Sequence, residues 1–178
     1  MADRTRLNSS LPSPRSVLFD ANVHDISQFD CGNDSINQWL ALNAHHARAM
    51  GTANTYVFVR HGKVIAYYTL SAHRIQSTEL PTSLSHGSPH SIPAFLIGKL
   101  GVTSSEQGKS IGASLIVDAF LRICRATNSG PSARIIAVDA IDDHAINFYK
   151  KANFRSSPLD PHQMFIKVST ALKIITRG

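Results

Sequence analysis

An apolar segment that runs into a glycine-containing turn, and then into an amphipathic helix, constrains this chain more than any other feature. The segment is Ile97-Gly98-Lys99-Leu100-Gly101-Val102, and Glu106-Gln107-Gly108-Lys109-Ser110-Ile111-Gly112-Ala113 follows it. A strand, a tight turn and a helix start in this order direct several backbone N–H groups at one spot, at the positive end of the helix dipole. We therefore predict a pyrophosphate site at this turn, although a plain strand-to-helix turn has the same pattern.

The hydrophobic periodicity of the rest of the chain predicts a helix, a hairpin with a tight turn at His61-Gly62-Lys63, and then strands alternating with helices. The first helix is expected to start near Asn33, where Ser35 and Gln38 form a capping-box pattern, and to end at Gly51. A long loop is expected over residues 76–91. The predicted strands are residues 55–60, 64–70, 94–102, 134–140 and 164–168, and the later helices begin at Ile111 and His144. This order indicates a mixed α/β sheet covered by helices.

Length and composition predict one domain without a membrane span. The chain has 178 residues, and it contains no apolar run of about 18 residues and no signal-peptide pattern at its start. The first residues, through about Ser16, are rich in Ser, Pro and Arg, so we expect a disordered or loosely attached segment over residues 1–16 and a single domain over residues 17–178. Cys31 and Cys124 are expected to be unpaired structural thiols, which fits a reducing, cytoplasmic setting.

The charge balance favours anionic partners but does not single one out. The formal net charge is +6 and the sequence pI is near 9.6. A basic surface attracts nucleic acid, nucleotide cofactors or acidic proteins, and a mild excess of solvated Lys and Arg accounts for the numbers equally well. His86 and His90 lie in a Pro- and Gly-containing loop rather than on one helix face, and no metal site is expected.

Several motifs in a fixed order identify a family resemblance. Gln107-x-x-Ser110-x-Gly112 resembles the acyl-CoA pyrophosphate signature of GNAT-type N-acetyltransferases, and the Ala145-x-x-Phe148-Tyr149 segment resembles the second half of that family. The match is closer to the acetyltransferase toxins of bacterial type II toxin–antitoxin modules, over roughly Phe19 to Val168. Four segments carry that closer match: Phe29-Asp30-Cys31-Gly32, Tyr67-Tyr68-Thr69-Leu70, Ile97 to Val102, and Ser157-Pro158-Leu159-Asp160-Pro161.

This resemblance implies a fold, a donor substrate and a set of site residues. The fold is the GNAT fold, a mixed, mostly antiparallel central sheet with a splayed strand pair, flanked by helices. The donor is acetyl-CoA, and no metal takes part. Tyr149 is the implied general acid, which protonates the departing thiolate. The implied acetyl-CoA contacts are Leu100, Gly101, Val102, Gln107, Gly108, Lys109, Ser110, Ile111, Gly112, Ala113 and Asn147.

The chain departs from the family pattern at two positions that usually carry glycine. Ser110 stands at the fourth position of the signature, where its Cβ could crowd the pyrophosphate or its hydroxyl could bind it. Asn153 replaces the glycine of a Gly-Phe pair. The predicted helix end places Asn153 at a residue that needs a left-handed conformation, which Asn tolerates.

The resemblance further implies acetylation of the α-amino group of aminoacyl-tRNA, which blocks translation. It implies a ribbon-helix-helix antitoxin and a homodimer as partners. Two alternatives stay open: an acetyltransferase acting on a small-molecule or protein amine, and a degenerate, non-catalytic protein that binds RNA or a partner. Further candidates in loops and on the first helix are His73 or Glu79 as a general base, and His45, His46 and Arg48 as contacts to an acidic substrate; solvated surface residues fit these positions better.

Overall fold

The computed structural model describes residues 11–177. Its strands are β1 (Val17–Leu18), β2 (Asn54–Arg60), β3 (Lys63–Gln76), β4 (Ser91–Val102), β5 (Ile135–Asp139), β6 (Arg155–Ser156) and β7 (Gln163–Lys167). Its helices are α1, which consists of Asp34–Gln38, Trp39–Asn43 and Ala44–Ala49, and then α2 (Thr82–Ser85), α3 (Ile111–Ser129), α4 (Asp143–Lys151) and α5 (Val168–Arg177). Two 3₁₀ turns, Ser77–Glu79 and Ser104–Glu106, precede α2 and α3.

The described strands form a seven-stranded sheet in the order β1-β2-β3-β4-β5-β7-β6. The pairs β1–β2, β2–β3, β5–β7 and β6–β7 are antiparallel. The predicted mixed α/β sheet with flanking helices is therefore confirmed, and the splay of one strand pair stays a prediction. β3 and β4 are longer than predicted, because β3 continues to Gln76 and β4 begins at Ser91, ahead of Pro93.

Contacts divide the chain into two compact units, each with its own apolar cluster. The first unit comprises residues 14–71 and 97–119, and the second comprises residues 72–96 and 120–177 with residues 11–13. The core of the first is formed by Phe19, Ile36, Leu40, Ala44, Val57, Val64 and Tyr67. The core of the second is formed by Ile75, Leu80, Leu84, Ile92, Ala94, Ile135, Ala137 and Phe165.

The hairpin between β2 and β3 has the tight turn that the sequence predicts. His61 and Gly62 both have positive φ, at 50° and 78°. Two consecutive left-handed residues form the kind of two-residue turn whose twist matches that of paired strands. The turn therefore fixes the register in which Arg60 lies opposite Lys63.

Helix α1 starts near Asn33 as predicted, but Ser35 does not cap it, and its winding differs from that of a regular α-helix. Its N-cap is Asn33, whose Oδ1 accepts the Ile36 N–H at 3.1 Å, and not Ser35. Its middle stretch, Trp39–Asn43, is π-helical. The buried Tyr67 hydroxyl donates to the Ile36 carbonyl at 2.7 Å. Because a side chain that bonds to a helix carbonyl perturbs the i→i−4 ladder, this hydrogen bond accounts for the wider winding that follows it.

The residues just before β1 are held by a buried carboxylate. Asp118 of α3 accepts the backbone N–H of Arg15 and of Ser16, and it also accepts the Ser16 hydroxyl. Ser16 is buried, so it is anchored rather than loosely attached. Of the expected loose segment, residues 1–10 lie outside the described residues. The boundaries of the predicted single domain stay a prediction.

The C-terminal helix α5 was not predicted. The last strand is residues 163–167 rather than the predicted 164–168, because α5 begins directly at Val168. The sequence of this helix is rich in β-branched residues, which have weak helix propensity, and the helix buries Ala171. Its formation therefore rests on tertiary packing rather than on a local signal.

Candidate active site

The turn between β4 and α3 has the backbone conformation of an anion-binding site. After the 3₁₀ turn the chain passes through two left-handed residues, Gly108 with φ of 74° and Ser110 with φ of 61°. At the start of α3, the Ser114 N–H donates to the Ser110 carbonyl at 3.1 Å, which is an i→i−4 hydrogen bond. The amides of residues 111–113 precede this bond, and helix geometry gives them no intrahelical acceptor. A pyrophosphate is the type of ligand that such amides bind.

The side chain of Gln107 supports this turn. Its Nε2 donates to the Val102 carbonyl at 2.9 Å and to the Cys31 carbonyl at 3.0 Å. The turn is thereby fastened to the end of β4 and to the loop before α1. The sequence motif implied an acetyl-CoA contact at Gln107, and it contained no sign of this side-chain role.

Charged side chains lie beside the turn, and their ion pairs leave positive charge available to a ligand. Glu106 Oε1 contacts Arg60 Nη1 at 2.8 Å and Lys109 Nζ at 3.4 Å. Partial desolvation raises the pKa of Glu106, but the hydrogen bond and charge of Arg60, with Lys109, outweigh it and hold the pKa below its usual value. The side chains of Arg60 and Lys109 are 51% and 58% exposed, and exposed ion pairs are weak. Lys109 is therefore able to exchange its carboxylate partner for a phosphate.

Gly101, near the end of β4, permits the backbone of this strand to lie close to the core of the first unit. A Cβ at this position would lie 2.8 Å from Ile36 Cγ2 and 3.3 Å from Phe29 Cζ. The segment Leu100 to Val102 therefore packs against α1 and the loop before it. Sequence reasoning did not connect Gly101 with Phe29 or Ile36, although a glycine inside an apolar strand is a general sign of close backbone approach.

Tyr149 lies on α4, whose two ends are both well capped. Asp142 is the N-cap, and its side chain accepts the Ala145 N–H at 2.7 Å. At the other end the Phe154 N–H donates to the Tyr149 carbonyl, and the Asn153 N–H donates to the Lys150 carbonyl. These two bonds, with Asn153 at φ of 68°, are a Schellman motif. The predicted left-handed conformation of Asn153 is confirmed.

This helix end buries the phenol of Tyr149 among aromatic rings. The ring centroid of Tyr149 lies 5.1 Å from that of Phe148 and 5.5 Å from that of Phe154. Tyr149 is 7% exposed, and its hydroxyl forms no hydrogen bond with any residue from 11 to 177. Burial, and then the negative charge of Asp139, raise the pKa of the phenol above its usual value. The group therefore stays protonated and is free to donate.

The predicted site residues thus fall into two groups. Residues 100–102 and 107–113 form one continuous segment of the first unit, and Asn147 and Tyr149 lie together on α4 in the second unit. Asn147 is exposed, two positions before the buried Tyr149. The roles assigned to all of these residues stay predictions.

Comparison with known proteins gives full-length matches. A tRNA-acetylating toxin of Mycobacterium tuberculosis is 28% identical over 167 residues, which cover 94% of this chain and 98% of the relative. The structure of AtaT complexed with acetyl-methionyl-tRNAfMet superposes with a TM-score of 0.81 at 23% identity, over 89% of this chain and 97% of that chain. No family model matches the chain.

A third match is a mutant of the toxin AtaT bound to the C-terminus of the antitoxin AtaR and to acetyl-CoA. It superposes with a TM-score of 0.75 at 21% identity, over 90% of this chain and 97% of that chain. The chain has the GNAT acetyltransferase fold. The predicted resemblance to the acetyltransferase toxins is confirmed.

Within the GNAT fold, the two departures from glycine are both left-handed. Ser110 and Asn153 have φ values of 61° and 68°. A left-handed conformation costs a residue with a Cβ about 1–2 kcal/mol, and the cost is lower for Asn because its side chain bonds locally. Both positions therefore keep the backbone that glycine would give, and Ser110 bears the larger strain.

The other candidate residues have structural partners or lie at the surface. Glu79 Oε1 accepts the Gln76 N–H at 2.7 Å as part of a capping box, and Arg48 Nη1 donates to the Phe19 carbonyl at 3.2 Å. His45, His46 and His73 are exposed. Between residues 11 and 177 no group of three or more His, Cys, Asp and Glu side chains could hold a metal ion. No helix in that part of the chain is long and apolar enough to cross a membrane.

Proposed function

We propose that this protein is an acetyl-CoA-dependent N-acetyltransferase toxin that acetylates the α-amino group of aminoacyl-tRNA and so blocks translation. The observation that carries the chemistry is the buried, protonated Tyr149 phenol, which has no hydrogen-bond partner among the described residues. The acceptor is inferred from the full-length match to a tRNA-acetylating toxin.

The residues present fit the acetyl-CoA donor. The amides at the start of α3, the left-handed turn at Gly108 and Ser110, and the cation of Lys109 together form a donor set suited to a pyrophosphate. Backbone groups of Leu100 to Val102 are assigned to the pantetheine arm and to the thioester carbonyl, whose developing negative charge their N–H groups would stabilise. Asn147 is assigned a further contact to the donor.

The transfer needs a proton donor more than it needs a strong base. Acetyl-CoA supplies an activated acetyl group; the amine nitrogen forms the new bond to carbon, and the carbon–sulfur bond breaks. Tyr149 gives its proton to the departing sulfur, and the nitrogen loses a proton to solvent. An α-amino group has a pKa of about 7.7–8.0, so much of it is already nucleophilic near neutral pH. This accords with the structural role of Glu79, the candidate base, whose carboxylate forms part of a capping box.

We further propose an antitoxin partner, a second copy of the chain and a cellular compartment. A ribbon-helix-helix antitoxin would bind the toxin, a proposal supported by the structure of a mutant AtaT bound to the C-terminus of its antitoxin. We also propose a homodimer and a cytoplasmic location, where charged tRNA is found.

Labelled acetyl-CoA and total tRNA test this function. The purified protein is expected to transfer label to fully charged tRNA, and base hydrolysis of the product should release N-acetylated amino acids. The same tRNA after deacylation is the matched control and should take up no label. Transfer to polyamines or protein amines, with charged tRNA unmodified, would contradict the proposed substrate. Failure to bind acetyl-CoA would indicate a non-catalytic protein.

A further inference from the structure

A short helix in the second unit is fastened to the sheet by three cations. Helix α2 places Leu84 in the apolar cluster with Ile135, Ala137 and Phe165, and so covers one face of the β5–β7–β6 part of the sheet. Lys167 Nζ donates to the Ser83 carbonyl at 3.2 Å, and Arg155 Nη1 donates to the Ser83 hydroxyl at 3.1 Å. Arg134 Nη2 donates to the His86 carbonyl at 3.2 Å. We name Arg134, Arg155 and Lys167 the basic rim.

Strand register explains why these cations converge. Arg155 lies opposite Phe165, and Lys167 lies opposite Ile135. Opposite residues share a face of the sheet, and residues two positions apart share it as well. Arg155 and Lys167 therefore share the face that Leu84 covers. Arg134 directly precedes β5, and its carbonyl accepts the Val168 N–H at 3.0 Å, so its backbone lies next to Lys167. Its side chain joins the other two through its bond to the His86 carbonyl.

The positive charge of the basic rim is uncompensated within the described residues. None of its three cations forms an ion pair with a carboxylate from residues 11–177, in contrast to Arg60 and Lys109, which share Glu106. Arg134 and Arg155 are exposed. Each guanidinium has five N–H donors, of which the bonds described above use one, so both retain donors that face solvent.

Holding α2 against the sheet does not by itself require charged side chains. A carbonyl or a hydroxyl accepts a hydrogen bond from a neutral amide as well as from a cation, whereas three like charges in one area repel each other. An extended anion removes that repulsion. Arginine forks bind phosphate oxygens in a bidentate manner, which favours a phosphate polymer over isolated carboxylates.

We propose that the basic rim binds the phosphate backbone of the RNA that carries the acceptor amine. This inference rests on the proposed function, because it takes tRNA as the substrate. The rim acts by positioning: it holds the RNA body and takes no part in the chemistry at the amine.

The test compares two double variants that remove equal charge. Arg134→Gln with Arg155→Gln alters the rim, and Lys173→Gln with Arg177→Gln alters exposed cations of α5. Affinity for deacylated total tRNA is measured over a range of KCl concentrations. We expect the rim variant to bind at least about tenfold more weakly and to lower the slope of log K against log salt by about 2, because two phosphates are no longer neutralised. The α5 variant should behave like the wild type.

Two further measurements keep the result interpretable. Arg134→Lys with Arg155→Lys retains the charge and should retain most of the salt slope. Aminoacyl-adenosine, which has the acceptor amine but no RNA body, should be acetylated equally by the rim variant and the wild type, while the kcat/KM for charged tRNA falls about as much as the affinity does.

Several outcomes would overturn the inference. An unchanged affinity and slope in the rim variant would do so, as would an equal loss of rate on aminoacyl-adenosine, which would mean that the residues only support the fold. Weaker binding to a polyglutamate peptide with tRNA binding intact would assign the rim to an acidic protein instead. A wild type that binds tRNA through the rim but never acetylates charged tRNA would contradict the proposed function and leave the rim as an RNA-binding surface.

Discussion

Tyr67 and Tyr149 are both buried tyrosines, but only one of them has its hydroxyl bonded. Tyr67 is fully buried in the first unit, and its hydroxyl donates to the Ile36 carbonyl at 2.7 Å. Tyr149 is 7% exposed in the second unit, and its hydroxyl has no partner within the described residues. Burial raises the pKa of both phenols. The partner of the hydroxyl, rather than burial or pKa, therefore separates a structural tyrosine from one that is free to act in catalysis.

Replacing Tyr149 with Phe should change the activity most. We expect the acetylation rate of charged tRNA to fall by about 100-fold or more, the usual contribution of a general acid. Because the hydroxyl forms no hydrogen bond with a described residue, the free energy of unfolding should change little. Initial rates and denaturant titrations on the same protein samples check both statements. A large loss of stability with an unchanged rate would reverse the assignment.

Replacing Tyr67 with Phe should give the opposite result. The Ile36 carbonyl would lose its buried donor, at a cost of about 1–3 kcal/mol in the free energy of unfolding. The rate should stay close to that of the wild type. Urea unfolding and the same rate assay measure the two effects. If the rate of Tyr67→Phe fell as far as that of Tyr149→Phe, the contrast between the two tyrosines would fail.

Asn153 bears on the same contrast, because its left-handed turn holds the carbonyl of Tyr149. Asn153→Ala should cost about 1 kcal/mol, since Ala tolerates positive φ poorly. Asn153→Gly should change stability by at most about 0.5 kcal/mol, because the freer glycine backbone offsets its easier conformation. Thermal unfolding of the matched pair checks the order. Equal stability of the two variants would mean that the Schellman motif does not hold this end of α4.

The effect of pH should be the property in which the two tyrosines differ least, because the pKa of both phenols is raised. A tyrosine in an unfolded chain has a pKa of about 10. Both phenols have folded-state pKa values above this, so the folded protein holds these protons more tightly, and the stability that they contribute is present below about pH 10 and is lost as pH rises further. Ionisation of Tyr149 should therefore cause no loss of rate up to about pH 10. Tyrosinate absorbance of the wild type and of Tyr149→Phe is measured against pH, and the difference between them reports ionisation of Tyr149. A rise of this difference below about pH 10 would contradict the prediction.

Local sequence signals predicted much of the backbone of the site. The alternating strands, the tight turn at His61 and Gly62, the glycine-containing turn before Ile111 and the helix end at Asn153 each depend on a few neighbouring residues. Glycine, asparagine and apolar periodicity report directly on such backbone conformations. The predicted mixed α/β sheet followed from the order of these elements.

The sequence did not predict features that depend on contacts between residues far apart in the chain. The π-helical stretch of α1 depends on the Tyr67 hydroxyl, and the turn before α3 depends on Gln107 reaching the Val102 and Cys31 carbonyls. Helix α5 forms from residues with weak helix propensity, and the choice of Asn33 rather than Ser35 as N-cap became evident only from the geometry.

The amino-acid sequence was thus sufficient to predict most of the elements, the left-handed conformation of Asn153, and a tyrosine in the short helix before it. It could not predict which tyrosine hydroxyl is bonded and which is free, or which cations converge beside α2; these followed from the folded chain. Backbone preference is set by a residue and its neighbours. Burial, hydrogen-bond partners and uncompensated charge are instead set by residues that folding brings together from distant parts of the chain.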